Sequence, residues 1–269
     1  MTTSQPDMDS FEGLRRLLAR LRAPGGCPWD REQTHQSLRK TLLEECYEAL
    51  DALDRQDARG LGEELGDLLL QVAFHCQIAE ELGEFTYAQV FRQLNEKLVR
   101  RHPHVFGDAT ATTAKEVEEQ WEALKEKERA GRESLLDGVS PSMPALAYAQ
   151  VISQRAVRAG FEWEAFKDVT AKVMEELGEL ENAATPEERE AELGDVLFTV
   201  VNVARWMGLD AESALRGATQ RFGRRFRHME QASHERGVAF TQLPLAEKEQ
   251  LWQEAKRALR EGGKDAGDS

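Results

Sequence analysis

One pattern of carboxylates is written twice in this chain, each time among apolar residues, and it limits the folds available. Glu44, Glu45 and Glu48 are followed by Glu64 and Asp67; Glu175, Glu176 and Glu179 are followed by Glu192 and Asp195. Each set is an E-E-x-x-E followed by E-x-x-D, the latter within Glu-Leu-Gly-Asp both times. On a helix turning about 100° per residue, Glu175, Glu176 and Glu179 fall on one face, and so do Glu192 and Asp195, three apart. Two such helices side by side would gather five acidic groups. Like charges at that density repel unless cations neutralise them, and all-oxygen donors suit hard cations such as Mg²⁺ or Mn²⁺.

The plain alternative is a solvated acidic surface, since Asp and Glu make up 49 of 269 residues. The neighbours argue otherwise. Leu65, Leu68, Leu69, Leu70, Val72 and Ala73 surround Asp67, and Leu193, Val196, Leu197, Val200 and Val201 surround Asp195. Carboxylates set in helices that apolar need partners. The net charge of −14 argues against a protein that coats nucleic acid or an anionic membrane, though a bound metal reverses the field locally. No run of about 18 apolar residues occurs, so no membrane span is expected. The N-terminus shows no basic stretch leading into an apolar core, and the cysteines Cys27, Cys46 and Cys76 lack metal-ligand spacing. Both point to a soluble cytoplasmic protein with reduced thiols.

The punctuation predicts an all-α protein. Helices are expected at about 10–22, 32–53 and 61–82, from Thr86 to before His102-Pro103, and from Thr113 through 129. Residues 131–144, rich in Gly, Ser and Pro, read as a linker between domains at 1–130 and 145–269. Helical patterning resumes at about 145–159, pauses at Gly160 and continues through the second acidic set. Thr185-Pro186-Glu187-Glu188 is a helix start with its own cap, further helices are expected at about 210–236 and 245–260, and the tail from about 261 reads as disordered. A shift of 131 positions carries Glu44 onto Glu175, Trp121 onto Trp252 and Lys125 onto Lys256. Between these anchors lie Asn95, Lys97, Arg100 and Arg101 in one half and Arg221, Arg224 and Arg225 in the other. An internal duplication giving two similar helical-bundle domains is the simplest explanation.

An acidic metal cluster with arginines and lysines nearby suits a polyphosphate: carboxylates hold the cation, the cation bridges phosphate oxygens, and Arg or Lys neutralises the remainder. No Gly-rich phosphate loop, no nucleophile elbow and no zinc-binding His pair offers a competing chemistry. An acidic helical regulator, whose clusters only bind metal or a basic partner, remains the non-enzymatic reading.

The ordered acid sets, with Gly26-Cys27-Pro28-Trp29-Asp30 leading to Leu42-Leu43-Glu44-Glu45 and a closing Trp-x-x-x-Lys in each half, resemble the MazG-type nucleoside triphosphate pyrophosphohydrolases in their two-repeat form. The resemblance covers about residues 10–260. It implies all-α domains, dimeric through the same helices, that hydrolyse NTPs and dNTPs to the monophosphate and pyrophosphate with Mg²⁺. It implies Glu176, Glu179, Glu192 and Asp195 as metal ligands, and Glu175 and Lys256 as catalytic groups, Glu175 being a ligand or a water-orienting group. Lys172, Arg221, Arg224, Arg225 and Trp252 would line the nucleotide. The first half carries a second candidate set: Glu45, Glu48, Glu64 and Asp67 with Glu44 adjacent, and Asn95, Lys97, Arg100, Arg101, Trp121 and Lys125 on the nucleotide. Two-repeat members tend to act through the C-terminal half, yet the acids of the first half are complete. Selectivity for one nucleotide and a broad substrate range share these motifs.

Overall fold

The computed structural model describes residues 7–128 and 134–261. The expected disordered tail, the start of the linker and Arg129 lie outside them. Among the described residues there is no strand. The chain divides into two compact units, Met1–Ala130 and Gly131–Ser269.

The first unit contains α1 (Phe11–Arg22), α2 (Pro28–Glu32), α3 (Arg39–Asp54), α4 (Ala58–Leu82), α5 (Tyr87–Arg101), α6 (Pro103–Phe106) and α7 (Ala114–Glu128). Local chemistry sets most of these ends. The Ser10 side chain accepts from the Gly13 amide to start α1, and Asp57 accepts from the Gly60 amide to start α4 three residues before the expected position. Gly83, at φ 72°, closes α4 in the left-handed conformation. Thr86 and Gln89 form a capping box for α5. The helix expected at 32–53 begins only at Arg39, Glu32 being the last residue of α2: residues 33–38 are not helical, and Thr34 and Ser37 bond each other's backbone there, Thr34 N–H to Ser37 Oγ at 2.9 Å and Ser37 N–H to Thr34 Oγ1 at 3.1 Å. Short polar side chains thereby give the backbone an alternative to the helical ladder. The core joins Leu18 of α1, Leu38 just before α3, the α4 residues Phe74, Cys76 and Ile78, and Tyr87 of α5, and the buried Tyr87 hydroxyl donates to the Ala73 carbonyl at 2.6 Å.

The second unit contains α8 (Ala145–Arg158), α9 (Phe166–Asn182), α10 (Pro186–Trp206), α11 (Ala211–Glu235), a single 3₁₀ turn (Phe240–Gln242) and α12 (Leu245–Glu261). Thr185 and Glu188 complete the expected capping box with Pro186 in the first turn of α10. Met229, Leu243, Leu251 and Ala255 form a core between α11 and α12. Val169 and Val201 are fully buried where α9 meets α10. No helix among the described residues is long and apolar enough to cross a membrane.

Candidate active site

Each acidic set lies on a helical hairpin. α3 packs on α4 across residues 55–57, and α9 packs on α10 across residues 183–185. The E-E-x-x-E segment comes from the first helix of each pair and the E-x-x-D segment from the second. Carboxylate oxygens of Glu45, Glu48 and Glu64 lie within 4.8 Å of one another, and those of Glu176, Glu179 and Glu192 do the same. The structure therefore gathers three of the four expected ligands twice. Asp67 and Asp195, one turn along α4 and α10, stand outside these trios, and Glu44 and Glu175 stand beside them.

The two centres differ in charge balance. In the first, burial pushes Glu45 above its ordinary value, with Asp67, Glu48, Glu64 and Glu44 adding repulsion. Glu64 is raised likewise, by desolvation and then by Glu48 and Asp67. In the second, desolvation and then Glu176 raise Glu179, while Lys172 opposes them. The Lys172 ammonium lies 2.7 Å from both Glu175 and Glu176, and hydrogen bonds to Glu175, then Glu176, hold its own pKa above the usual value. Glu176 is buried, and this lysine is its ion-pair partner. The first half has Thr41 at the position matching Lys172, and Lys40 pairs with Glu44 at 3.1 Å, outside its trio. Crowded carboxylates with raised proton affinity are a fitting donor set for Mg²⁺ or Mn²⁺.

Of the expected nucleotide-lining groups, an arginine and a tryptophan meet on a second pair of elements in each unit. The Arg225 guanidinium sits 5.5 Å from the Trp252 ring centroid, and Phe222 lies 5.3 Å from the same ring. Trp252 packs on the core between α11 and α12, beside a cavity of about 270 Å³ lined by Phe222, Phe226, Phe240 and Leu245. The first unit repeats the pairing: Arg101 lies 5.6 Å and Lys125 5.7 Å from the Trp121 centroid. There Arg100 and Arg101 both bind Glu128, at 2.7 Å and 2.5 Å, and Arg101, then Arg100, holds its carboxyl at about 2. Arg221 and Arg224 are exposed on α11, Lys256 is half-buried on α12, and Asn95 and Lys97 lie on α5, exposed and half-buried. His102 caps α5, its Nδ1 2.6 Å from the Leu98 carbonyl oxygen, as befits a helix stop.

Sequence reasoning assigned no site residue to the segment between α8 and α9. Phe161, Glu162 and Trp163 line a cavity of about 390 Å³ together with Lys172. Two signals were available: the pause at Gly160, whose φ is 86°, and the loose echo of Gly26-Cys27-Pro28-Trp29 in Gly160-Phe161-Glu162-Trp163.

Two all-α units, each carrying a carboxylate trio on a helical hairpin, define the class of protein. The MazG nucleotide pyrophosphohydrolase domain matches this chain twice, at residues 33–106 and 164–230, which span both acid sets and both basic stretches. The chain belongs to the MazG nucleotide pyrophosphohydrolase family. It is 46% identical to the nucleoside triphosphate pyrophosphohydrolase/pyrophosphatase MazG of Thermotoga maritima, over 91% of this chain and 95% of that protein. It is 42% identical to the nucleoside triphosphate pyrophosphohydrolase of Escherichia coli K12, over 93% of this chain and 98% of that one. The uncharacterized protein YabN of Bacillus subtilis is 44% identical over 93% of this chain, which spans 52% of YabN.

Proposed function

We propose that the protein hydrolyses nucleoside triphosphates, ribo and deoxy, to the monophosphate and pyrophosphate in a Mg²⁺-dependent reaction, cleaning the cytoplasmic nucleotide pool with broad specificity. The observation that carries this reading is the trio of Glu176, Glu179 and Glu192 within 4.8 Å, inside a family-matched segment. These three would hold the cation, with Asp195 one turn along α10. A divalent cation in such a place supplies neutralisation of phosphate charge and acidification of water. The chain's own groups do the rest. Lys172 balances the buried Glu176 and presents positive charge beside the trio, where a phosphate oxygen can exchange for one carboxylate partner. Glu175, exposed and held by Lys172, would orient a water molecule. Arg221, Arg224, Arg225, Trp252 and Lys256 would supply further contacts to the nucleotide.

The second half is favoured as the active one because its trio has a lysine in direct contact. Pyrophosphate release from the eight common NTPs and dNTPs, with Mg²⁺ or with EDTA, tests the reading. Wild type should release pyrophosphate only with the metal, Glu179→Gln should lose at least about 100-fold, and Glu48→Gln should retain activity. No release from any nucleotide would end the proposal, and loss only in Glu48→Gln would move the site to the first half. We propose further that the protein is a homodimer and binds neither nucleic acid nor membrane.

A further inference from the structure

The cavity beside the second acidic centre has two unlike sides. One is Lys172, whose ammonium touches both Glu175 and Glu176 at 2.7 Å. The other is aromatic: Phe161, 78% exposed, and the half-buried Trp163. An exposed phenylalanine next to an indole, on a segment without regular structure, has no folding role visible in its own unit.

That segment is nevertheless held firmly. Arg205 of α10 donates from Nη1 and Nη2 to the two Glu162 oxygens, at 2.5 Å and 2.8 Å. Glu162 Oε1 also accepts from the Trp163 amide at 2.9 Å. Burial pushes the Glu162 carboxyl up, but the hydrogen bonds from Arg205 and this amide hold it below the usual carboxylate range. The Arg205 Nε donates to Ser153 Oγ of α8 at 2.8 Å, and the Ser153 hydroxyl donates to Asn202 Oδ1. Ser153 and Asn202 are 5% and 1% exposed. A bidentate guanidinium–carboxylate pair fixes geometry as well as charge, so a buried anchor runs from the core to the aromatic wall.

We infer that this cavity seats the nucleoside part of the substrate, with Phe161 and Trp163 as its stacking wall and Arg205 as the positioning residue that holds the wall through Glu162. The inference rests on the pyrophosphohydrolase reading above and extends it to the substrate's other end. A triphosphate held at the trio places its charge beside Lys172, and the sugar and base continue into the adjoining cavity. Every base has a π-face, so an aromatic wall selects nucleotides as a class over bare polyphosphate without choosing among bases. Phe161, Glu162 and Trp163 precede the second family-matched segment, which begins at residue 164.

The test is calorimetric binding, with Mg²⁺, of a nucleoside triphosphate carrying a non-hydrolysable α,β-imido bridge and of inorganic tripolyphosphate. Trp163→Ala and Arg205→Met should each weaken nucleotide binding by about tenfold and leave tripolyphosphate binding unchanged. The double variant should be no weaker than Trp163→Ala, because Arg205 acts through the wall. Glu162→Gln, at the outer end of the pair, repeats the measurement should Arg205→Met not fold. Equal losses for both probes, or unchanged nucleotide binding, would overturn the inference. Wild type binding both probes equally would overturn it alone, and wild type binding neither would remove the underlying pyrophosphohydrolase reading as well.

Discussion

Arg22 does in the first unit what Arg205 does in the second, by different bonds. Its Nη2 meets Glu81 of α4 at 2.7 Å, while Nη1 donates to the carbonyls of Asp30 and Gln33, at 2.5 Å and 3.1 Å. The segment around Trp29 is thus tied to α4 as the segment around Trp163 is tied to α10. Burial alone would raise Glu81, but hydrogen bonds from Arg22 and Gln77 bring its carboxyl below 4.5. A depressed folded-state value means that this stabilisation is complete above the unfolded value of about 4.5 and is lost as pH falls through the lower one. Glu81→Gln should therefore lower stability at neutral pH by about 1 kcal/mol or less, since the pair is partly exposed. It should converge on wild type in acid, as urea midpoints across a pH series would report. A difference that grew in acid would contradict this assignment. The carboxylate trios were legible in the sequence because acids three and four apart share a helix face whatever the tertiary structure. The Arg22 and Arg205 clamps were not: their partners lie 59 and 43 residues away, or are backbone carbonyls, and neither leaves a periodic trace.

Helix ends were predictable where a side chain caps its own helix. Thr86, Thr113 and Thr185 act as expected, the Thr113 hydroxyl accepting from the Glu116 amide at 3.2 Å, and Ser10, expected as the first helical residue, caps α1 instead. They failed where polar side chains bond one another across a turn, as Thr34 and Ser37 do, and where a helix is only one turn long, as α2 and α6 are. The Thr185 cap starts α10, the helix that carries Glu192 about two turns further on. The Glu188 amide donates to Thr185 Oγ1 at 3.1 Å, and the Thr185 amide donates to Glu188 Oε2 at 3.1 Å. Thr185→Ala should cost about 1 kcal/mol of stability and raise hydrogen exchange in the first turn of α10. Metal affinity should change little, because fraying is confined to about one turn and Glu192 lies beyond it. A large loss of Mg²⁺ binding with unchanged exchange would mean that Thr185 acts on the trio by another route.

On the scale of the whole molecule, the duplication preserved surface as well as acids. Leu65, Leu69 and Val72 of α4 are 54%, 43% and 48% exposed, and Leu193, Leu197 and Val200 of α10 are 48%, 48% and 47% exposed. Their spacing of four and three places each trio of apolar residues on one helix stripe. The helical glycines of Glu-Leu-Gly-Asp follow the same logic. A Cβ at Gly66 or Gly194 would meet nothing within 4 Å, so nothing inside either unit requires glycine there, although it costs about 1 kcal/mol against alanine in a helix interior. A stripe of half-exposed Leu and Val beside a smooth glycine position suits another helix approaching closely, and an isologous dimer supplies one. Light scattering should accordingly give twice the chain mass of 30.4 kDa. Leu193→Glu with Leu197→Glu should shift the protein to a monomer at micromolar concentration while circular dichroism keeps its helical signal, because these side chains are not part of a unit's own core. A wild-type mass near that of one chain would sink the dimer. Loss of helix in the double variant would instead assign the stripe to packing within the chain.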